Sequence, residues 1–118
     1  MSTFEIQNRS RSGISVLDLQ GELDAHTAPE LEKAFQSLMN DKQFQIIVNG
    51  SGLEYISSAG LGVFMAYIED IRTKKGDIKI AGLKPKVYNV FDLLGFPTLY
   101  DITDSEEQAF QKFQKPSE

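Results

Sequence analysis

Residues 44–68 read FQIIVNGSGLEYISSAGLGVFMAYI, and the architecture is decided within this stretch. Ile46, Ile47 and Val48 are consecutive apolar residues, all three β-branched. A strand that is apolar on both sides needs cover on both faces, which is the situation at the centre of a parallel sheet. A short strand is therefore expected over 44–48, left by the loop Asn49-Gly50-Ser51-Gly52. Beyond it, Leu61, Phe64, Met65, Ile68 and Ile71 recur at helical spacing, so a buried helix follows. Two hydroxyls, Ser57 and Ser58, stand at the mouth of that helix, and Gly60 and Gly62 lie in its first turns. Each glycine weakens a helix by about 1 kcal/mol relative to alanine. Their presence is read as a backbone that something must approach closely, either another protein at Ser58 or the first helix of this chain.

Upstream, Phe4-Glu5-Ile6 and Ile14–Leu19 read as two strands joined by the polar segment Asn8-Arg9-Ser10-Arg11-Ser12-Gly13, a hairpin with a long, loose loop. Gly21-Glu22-Leu23-Asp24 ends the second strand. Thr27 and Glu30 have capping-box spacing, and Pro29 sits where a missing N–H costs nothing. The helix so begun carries Leu31, Phe35, Leu38 and Met39 on one face and ends near Asn40. Downstream, Lys74-Lys75-Gly76 stops the second long helix. Ile78-Lys79-Ile80-Ala81 is a further strand, and Lys84-Pro85 opens a helix with Val87, Val90, Phe91 and Leu94 inward, stopped by Gly95. Leu99-Tyr100-Asp101-Ile102 reads as a short edge strand. Thr103-Asp104-Ser105-Glu106 caps a last helix bearing Ala109, Phe110 and Phe113, with a frayed tail from about residue 114.

Strands alternating with helices imply an α/β fold built by right-handed crossovers. The expectation is one domain over residues 1–118, with a mixed, mostly parallel sheet of four to five strands and about four helices. At 118 residues the chain can bury a core without staples. It contains no cysteine, which excludes disulfides, thiol catalysis and thiolate metal sites. A formal net charge of -5 with dispersed Lys and Arg argues against nucleic acid as a partner. The N-terminus lacks the pattern of a secretory signal, and the longest apolar run, 61–68, is far short of the roughly 20 residues that span a bilayer. A cytoplasmic monomer without cofactor or metal is expected.

In such folds, functional loops lie beyond the carboxyl ends of the strands. If the second and central strands are neighbours, Asp24, His26 and Thr27 approach Ser57 and Ser58 on one rim. Ser58, His26 and Asp24 are the residue types of a hydrolytic triad. However, Asp24 and His26 are two apart in one loop, and no G-x-S-x-G elbow surrounds Ser58. The Gly50-Ser51-Gly52 and Gly60-Leu61-Gly62 pairs lack the lysine and spacing of phosphate loops. Ser58 itself admits two readings. A serine before a helix is ordinarily an N-cap. The same place also favours a phosphate, because free N–H groups and the helix dipole both attract negative charge.

Over residues 14 to about 110 the chain resembles the STAS-domain family of bacterial anti-sigma factor antagonists. The resemblance rests on Gly21-Glu22-Leu23-Asp24 with Thr27, Ile46-Ile47-Val48, Ser58-Ala59-Gly60-Leu61-Gly62, Val87-Tyr88-Asn89-Val90-Phe91 with Leu94-Gly95, and Ser105-Glu106-Glu107-Gln108-Ala109, all in order. It implies a non-enzymatic partner switch. The unmodified protein would bind an anti-sigma factor that is also a serine kinase and so free a sigma factor. Phosphorylation of Ser58, with Ser57 the lesser alternative, would release it, and a PP2C-type phosphatase would restore it. The binding surface implied comprises Asp24, His26, Thr27, Ser57, Ser58, Ala59, Gly60, Leu61 and Gly62. Typical antagonists have aspartate where this chain has Ser57, and that departure motivates a second reading, a regulatory or scaffold STAS protein that binds a signalling partner without being phosphorylated.

Overall fold

The computed structural model describes residues 4–114. Its elements follow the chain as β1 (Phe4–Arg11), β2 (Ile14–Leu23), α1 (Ala28–Asn40), β3 (Gln45–Ile56), α2 (Ser58–Thr73), β4 (Asp77–Ala81), α3 (Pro85–Leu93), a 3-10 turn (Phe96–Thr98), β5 (Ile102–Thr103) and α4 (Glu106–Gln114). The strands form one five-stranded sheet in sequence order, β1-β2-β3-β4-β5. β1 is antiparallel to β2, and the remaining neighbours are parallel. This is the mixed, mostly parallel sheet with four helices that the alternation of patterns predicts.

The Ile46-Ile47-Val48 run has the two-sided burial its composition demands. Ile46 and Val48 join a large core with Leu31 and Phe35 of α1, Phe64 and Ile68 of α2, and Val87 and Phe91 of α3. Ile47 points the other way, into a smaller cluster with Ile14, Val16, Ala81 and Ala109 of α4, flanked by Phe110 and Phe113. Three helices thus cover one face of the sheet and α4 alone covers the other. In the larger core, Phe64 meets Phe35, Phe91 and Tyr100 edge-on at 5.9, 5.7 and 6.2 Å. Each such pair adds about 0.5–1.5 kcal/mol beyond its burial. The Tyr100 hydroxyl, buried, donates to the Phe64 carbonyl at 2.7 Å.

The smaller face is held by charge as well as by apolar contact. Arg9 donates to Asp18 at 2.6 and 3.0 Å and also to Glu106. Arg11 donates to Glu106 at 3.0 Å and to Glu107, and the Asn49 amide donates to Glu106 at 3.0 Å. Hydrogen bonds from Arg9, opposed by partial burial and reinforced by Asn49 and Arg11, hold the Glu106 carboxyl down at about 2. At the other end of α4, the Lys79 ammonium lies 4.6 Å from the centre of the Phe113 ring and donates to Asp77 and Asp101 at 3.0 and 2.7 Å.

Several local expectations are corrected. The hairpin is tight, with Arg11 paired to Ile14 across only Ser12 and Gly13. Both of those residues have positive φ (49° and 84°), the conformation of a two-residue turn that matches strand twist. β3 does not end at Val48 but continues to Ile56, so Asn49-Gly50-Ser51-Gly52 is strand rather than loop. It stays paired with β2, Asn49 with Asp18 and Gly52 with Gln20. A β-carbon on Gly50 would lie 2.5 Å from Leu83, and one on Gly52 would lie 2.9 Å from the Leu19 carbonyl oxygen, so these glycines admit neighbours rather than turn the chain. Met65 is 47% exposed and Leu94 is 60% exposed, so neither belongs to the core. Leu94 is the C-cap residue of α3, past its buried face. The edge strand is Ile102–Thr103 rather than 99–102, because Phe96 of the 3-10 turn and Tyr100 just after it are both drawn into the core before the chain pairs with β4. Within the expected capping stretch 103–106, the residue that caps α4 is Ser105, paired with Gln108. The tail Lys115-Pro116-Ser117-Glu118 lies outside the described residues.

Candidate functional site

Strand pairing assembles the rim. β2 and β3 are parallel neighbours whose last registered pair is Leu23 with Ile56, so Asp24 and Ser57 emerge side by side. The two exits are bonded directly, since the Ser57 N–H donates to the Leu23 carbonyl at 2.9 Å. The proximity inferred from topology is therefore present in the backbone.

Asp24 organises the turn into α1. Its carboxylate accepts from the N–H groups of His26 (2.9 Å) and Thr27 (3.1 Å), and its carbonyl accepts from Ala28 at 2.8 Å. Partial desolvation raises the Asp24 pKa, but the N–H groups of Thr27 and His26 outweigh it and hold the carboxyl below its ordinary value. The expected Thr27–Glu30 capping box is absent, because Thr27 has no side-chain cap bond to α1. Its hydroxyl instead donates to the Glu22 carbonyl at 2.9 Å and accepts from the Asp24 N–H at 2.8 Å. Thr27 is buried and locks the β2 exit rather than offering a contact surface. His26 is exposed, and among the described residues its ring has no hydrogen-bond partner. With Asp24 committed to backbone N–H groups, no carboxylate orients the imidazole and no triad is assembled.

The helix start differs from the expectation by one residue. Ser57 is the N-cap of α2, in the extended conformation (φ -101°, ψ 174°), and Ser58 is the first helical residue. Ser57 makes no cap hydrogen bond, and its hydroxyl oxygen is buried without a partner. The first intrahelical bond runs from the Leu61 N–H to the Ser57 carbonyl at 3.0 Å. The N–H groups of Ser58, Ala59 and Gly60 precede it, so the helix itself supplies them no acceptor. No acidic residue lies in the first turn. The Ser58 side chain is exposed and has no hydrogen-bond partner among the described residues. The result is a free hydroxyl next to a row of unmatched donors at the positive end of a 16-residue helix.

The two glycines separate in role. A β-carbon on Gly60 would come within 2.8 Å of Leu23 and 2.9 Å of Ile56, so this glycine is buried and lets α2 settle on the strand ends. It does not pack on α1, and it does not face a partner. Gly62 is exposed, with nothing within 4 Å of the same position, and keeps the surface beside Ser58 low. Ala59 is half-buried and Leu61 is buried in the core. The rim also carries Tyr55, 51% exposed, and Glu54, which pairs with Lys86 at 3.2 Å and Lys84 at 3.6 Å. Sequence reading did not single these out. The alternation of buried Leu53 and Ile56 around them is the signal that a strand, and not a loop, presents them.

The STAS domain model matches residues 5–109, beginning upstream of the motifs noted in the sequence. An anti-sigma-B factor antagonist of Staphylococcus aureus is 29% identical over 104 residues, covering 88% of this chain and 96% of that protein. The fold superposes with a TM-score of 0.87 on an anti-sigma factor antagonist from Mycobacterium paratuberculosis, at 22% identity and 95% coverage of each chain. It also superposes on the phosphorylated form of the Bacillus cell fate determinant SpoIIAA, with a TM-score of 0.70, 21% identity and coverage of 93% and 98%. By its sequence and by the order of its strands and helices, this chain belongs to the STAS domain family.

Proposed function

We propose that this protein is an anti-sigma factor antagonist of the bacterial cytoplasm, acting as a monomeric binding protein and not as an enzyme. Unmodified, it occupies an anti-sigma factor that is also a serine kinase and thereby frees a sigma factor. The kinase transfers the γ-phosphoryl group of ATP to Ser58: the Ser58 Oγ–P bond forms, the bond to the ADP oxygen breaks, and the serine proton passes to a base of the kinase. A PP2C-type phosphatase reverses the change by hydrolysis. The names of the antagonist relatives support the first part of this reading. The observation that carries the second is the exposed, unbonded Ser58 hydroxyl at the open start of α2.

The physical basis of release is local. Phosphorylation adds roughly two negative charges at neutral pH, on a rim that already holds the Asp24 carboxylate. Docking that charge against the partner strips its hydration or sets it against like charge, at a cost of several kcal/mol, and each 1.4 kcal/mol is about tenfold in affinity. That suffices to dissociate a complex without refolding. Incubation with the kinase and Mg-ATP, followed by mass spectrometry, should place one phosphate on Ser58. Label on neither Ser58 nor Ser57 would eliminate the phosphorylation step. Ser57, a neutral residue next to the acceptor, favours the second reading, a STAS scaffold that binds a signalling partner without modification. On that reading Ser58→Ala and Ser58→Asp leave partner binding unchanged.

A further inference from the structure

Buried polar groups are almost always hydrogen-bonded, and among the described residues Ser57 is the exception: its Oγ is buried, unpartnered, and placed at the N-cap of α2 without capping it. The serine at the start of α4 shows what an ordinary cap does in this chain, since Ser105 Oγ accepts from the Gln108 N–H at 3.2 Å. At α2 the donors of the first turn are left open instead, no carboxylate stands in that turn, and the adjacent side chain is the exposed Ser58 hydroxyl. A phosphoryl group on Ser58 would bring strong acceptor oxygens to the side chain next to Ser57.

We propose that Ser57 is a phosphate-positioning residue: its hydroxyl donates to the phosphoryl group carried by Ser58, alongside the open N–H groups of the α2 first turn. The inference rests on Ser58 being the acceptor, and it assigns to Ser57 a role confined to the modified state. An orphan hydroxyl in the unmodified protein acquires its partner on phosphorylation. Such a bond favours the phosphate dianion, as donors to a charged form lower its pKa. It also holds the new charge on the rim beside Asp24 instead of letting it swing into solvent.

The test uses full-length protein carrying phosphoserine at position 58 introduced by semisynthesis, so that it does not depend on any kinase. Phosphorus NMR titration reads the second phosphate pKa, about 6 for an unconstrained phosphoserine. The folded wild type is expected to titrate below its own urea-unfolded chain. Ser57→Ala is expected to give back about half a unit of that difference, and Ser57→Thr, which keeps the hydroxyl, to retain it. Unphosphorylated Ser57→Ala should melt with the wild type. Equal phosphate pKa values for wild type and Ser57→Ala would overturn the proposal. So would a clear loss of stability in unphosphorylated Ser57→Ala, which would make Ser57 an ordinary cap. If a kinase fails to label Ser58 while this titration behaves as expected, the functional reading fails and the positioning role stands.

Discussion

Two helices of this chain begin with a serine, and the two beginnings are opposites. At α4, Ser105 accepts from the Gln108 N–H, while the Gln108 side chain accepts from the Asp104 and Ser105 N–H groups at 3.0 and 3.2 Å. Glu106 and Glu107 then add negative charge to the first turn. At α2 the serine caps nothing, the third helical residue is glycine, and the first turn holds no acid. One start is sealed by a reciprocal capping box. The other is left with free donors and a positive dipole end. α1 and α3 also start without a side-chain cap, so what sets the α2 start apart is that its cap position holds a serine whose hydroxyl is buried and unbonded, next to the exposed Ser58.

The contrast can be broken first at the glycines. Gly60→Ala should destabilise the protein by about 1–2 kcal/mol in urea unfolding, the clash with Leu23 and Ile56 outweighing the helix-propensity gain of about 1 kcal/mol. Gly62→Ala, with open space around it, should stabilise by up to about 1 kcal/mol. Equal effects at the two positions would contradict the packing described. At the sealed start, Ser105→Ala should cost about 1 kcal/mol by the same measurement; no loss would mean that the capping box contributes nothing.

The smallest effect concerns pH. Because the fold lowers the Glu106 carboxyl to about 2, its ion pairs stabilise the protein fully above the unfolded carboxyl's value, about 4.3, and lose that contribution as pH falls towards 2. Urea midpoints taken from pH 6 to pH 2 should therefore fall more steeply for wild type than for Glu106→Gln. Parallel curves would show that this cluster does not anchor α4.

The sequence made the architecture readable because its strongest signals are local and periodic. Ile46-Ile47-Val48 demanded a sheet covered on both faces, and Leu31, Phe35 and Leu38 marked the inner face of α1. What it concealed depends on distant neighbours. Asn49-Gly50-Ser51-Gly52 has turn composition, yet it stays paired with β2, and its glycines leave room for Leu83 and the Leu19 carbonyl. Thr27 and Glu30 have capping spacing, yet the Thr27 hydroxyl is taken by Glu22. Met65 keeps helical period, yet it opens onto a groove shared with Leu99 and Arg72. For the site, the meeting of Asp24 with the Ser57-Ser58 pair was legible, since it follows from strand neighbours and exits. Which serine occupies the N-cap position was not, because adjacent serines carry the same propensity and only the backbone angles tell them apart.

The most direct test of the switch is the affinity of three proteins for the anti-sigma factor kinase, measured by calorimetry: unmodified wild type, wild type phosphorylated on Ser58, and Ser58→Ala. Tight and equal binding is expected for unmodified wild type and Ser58→Ala, with a loss of about a hundredfold or more on phosphorylation. Equal affinity for all three would contradict the account.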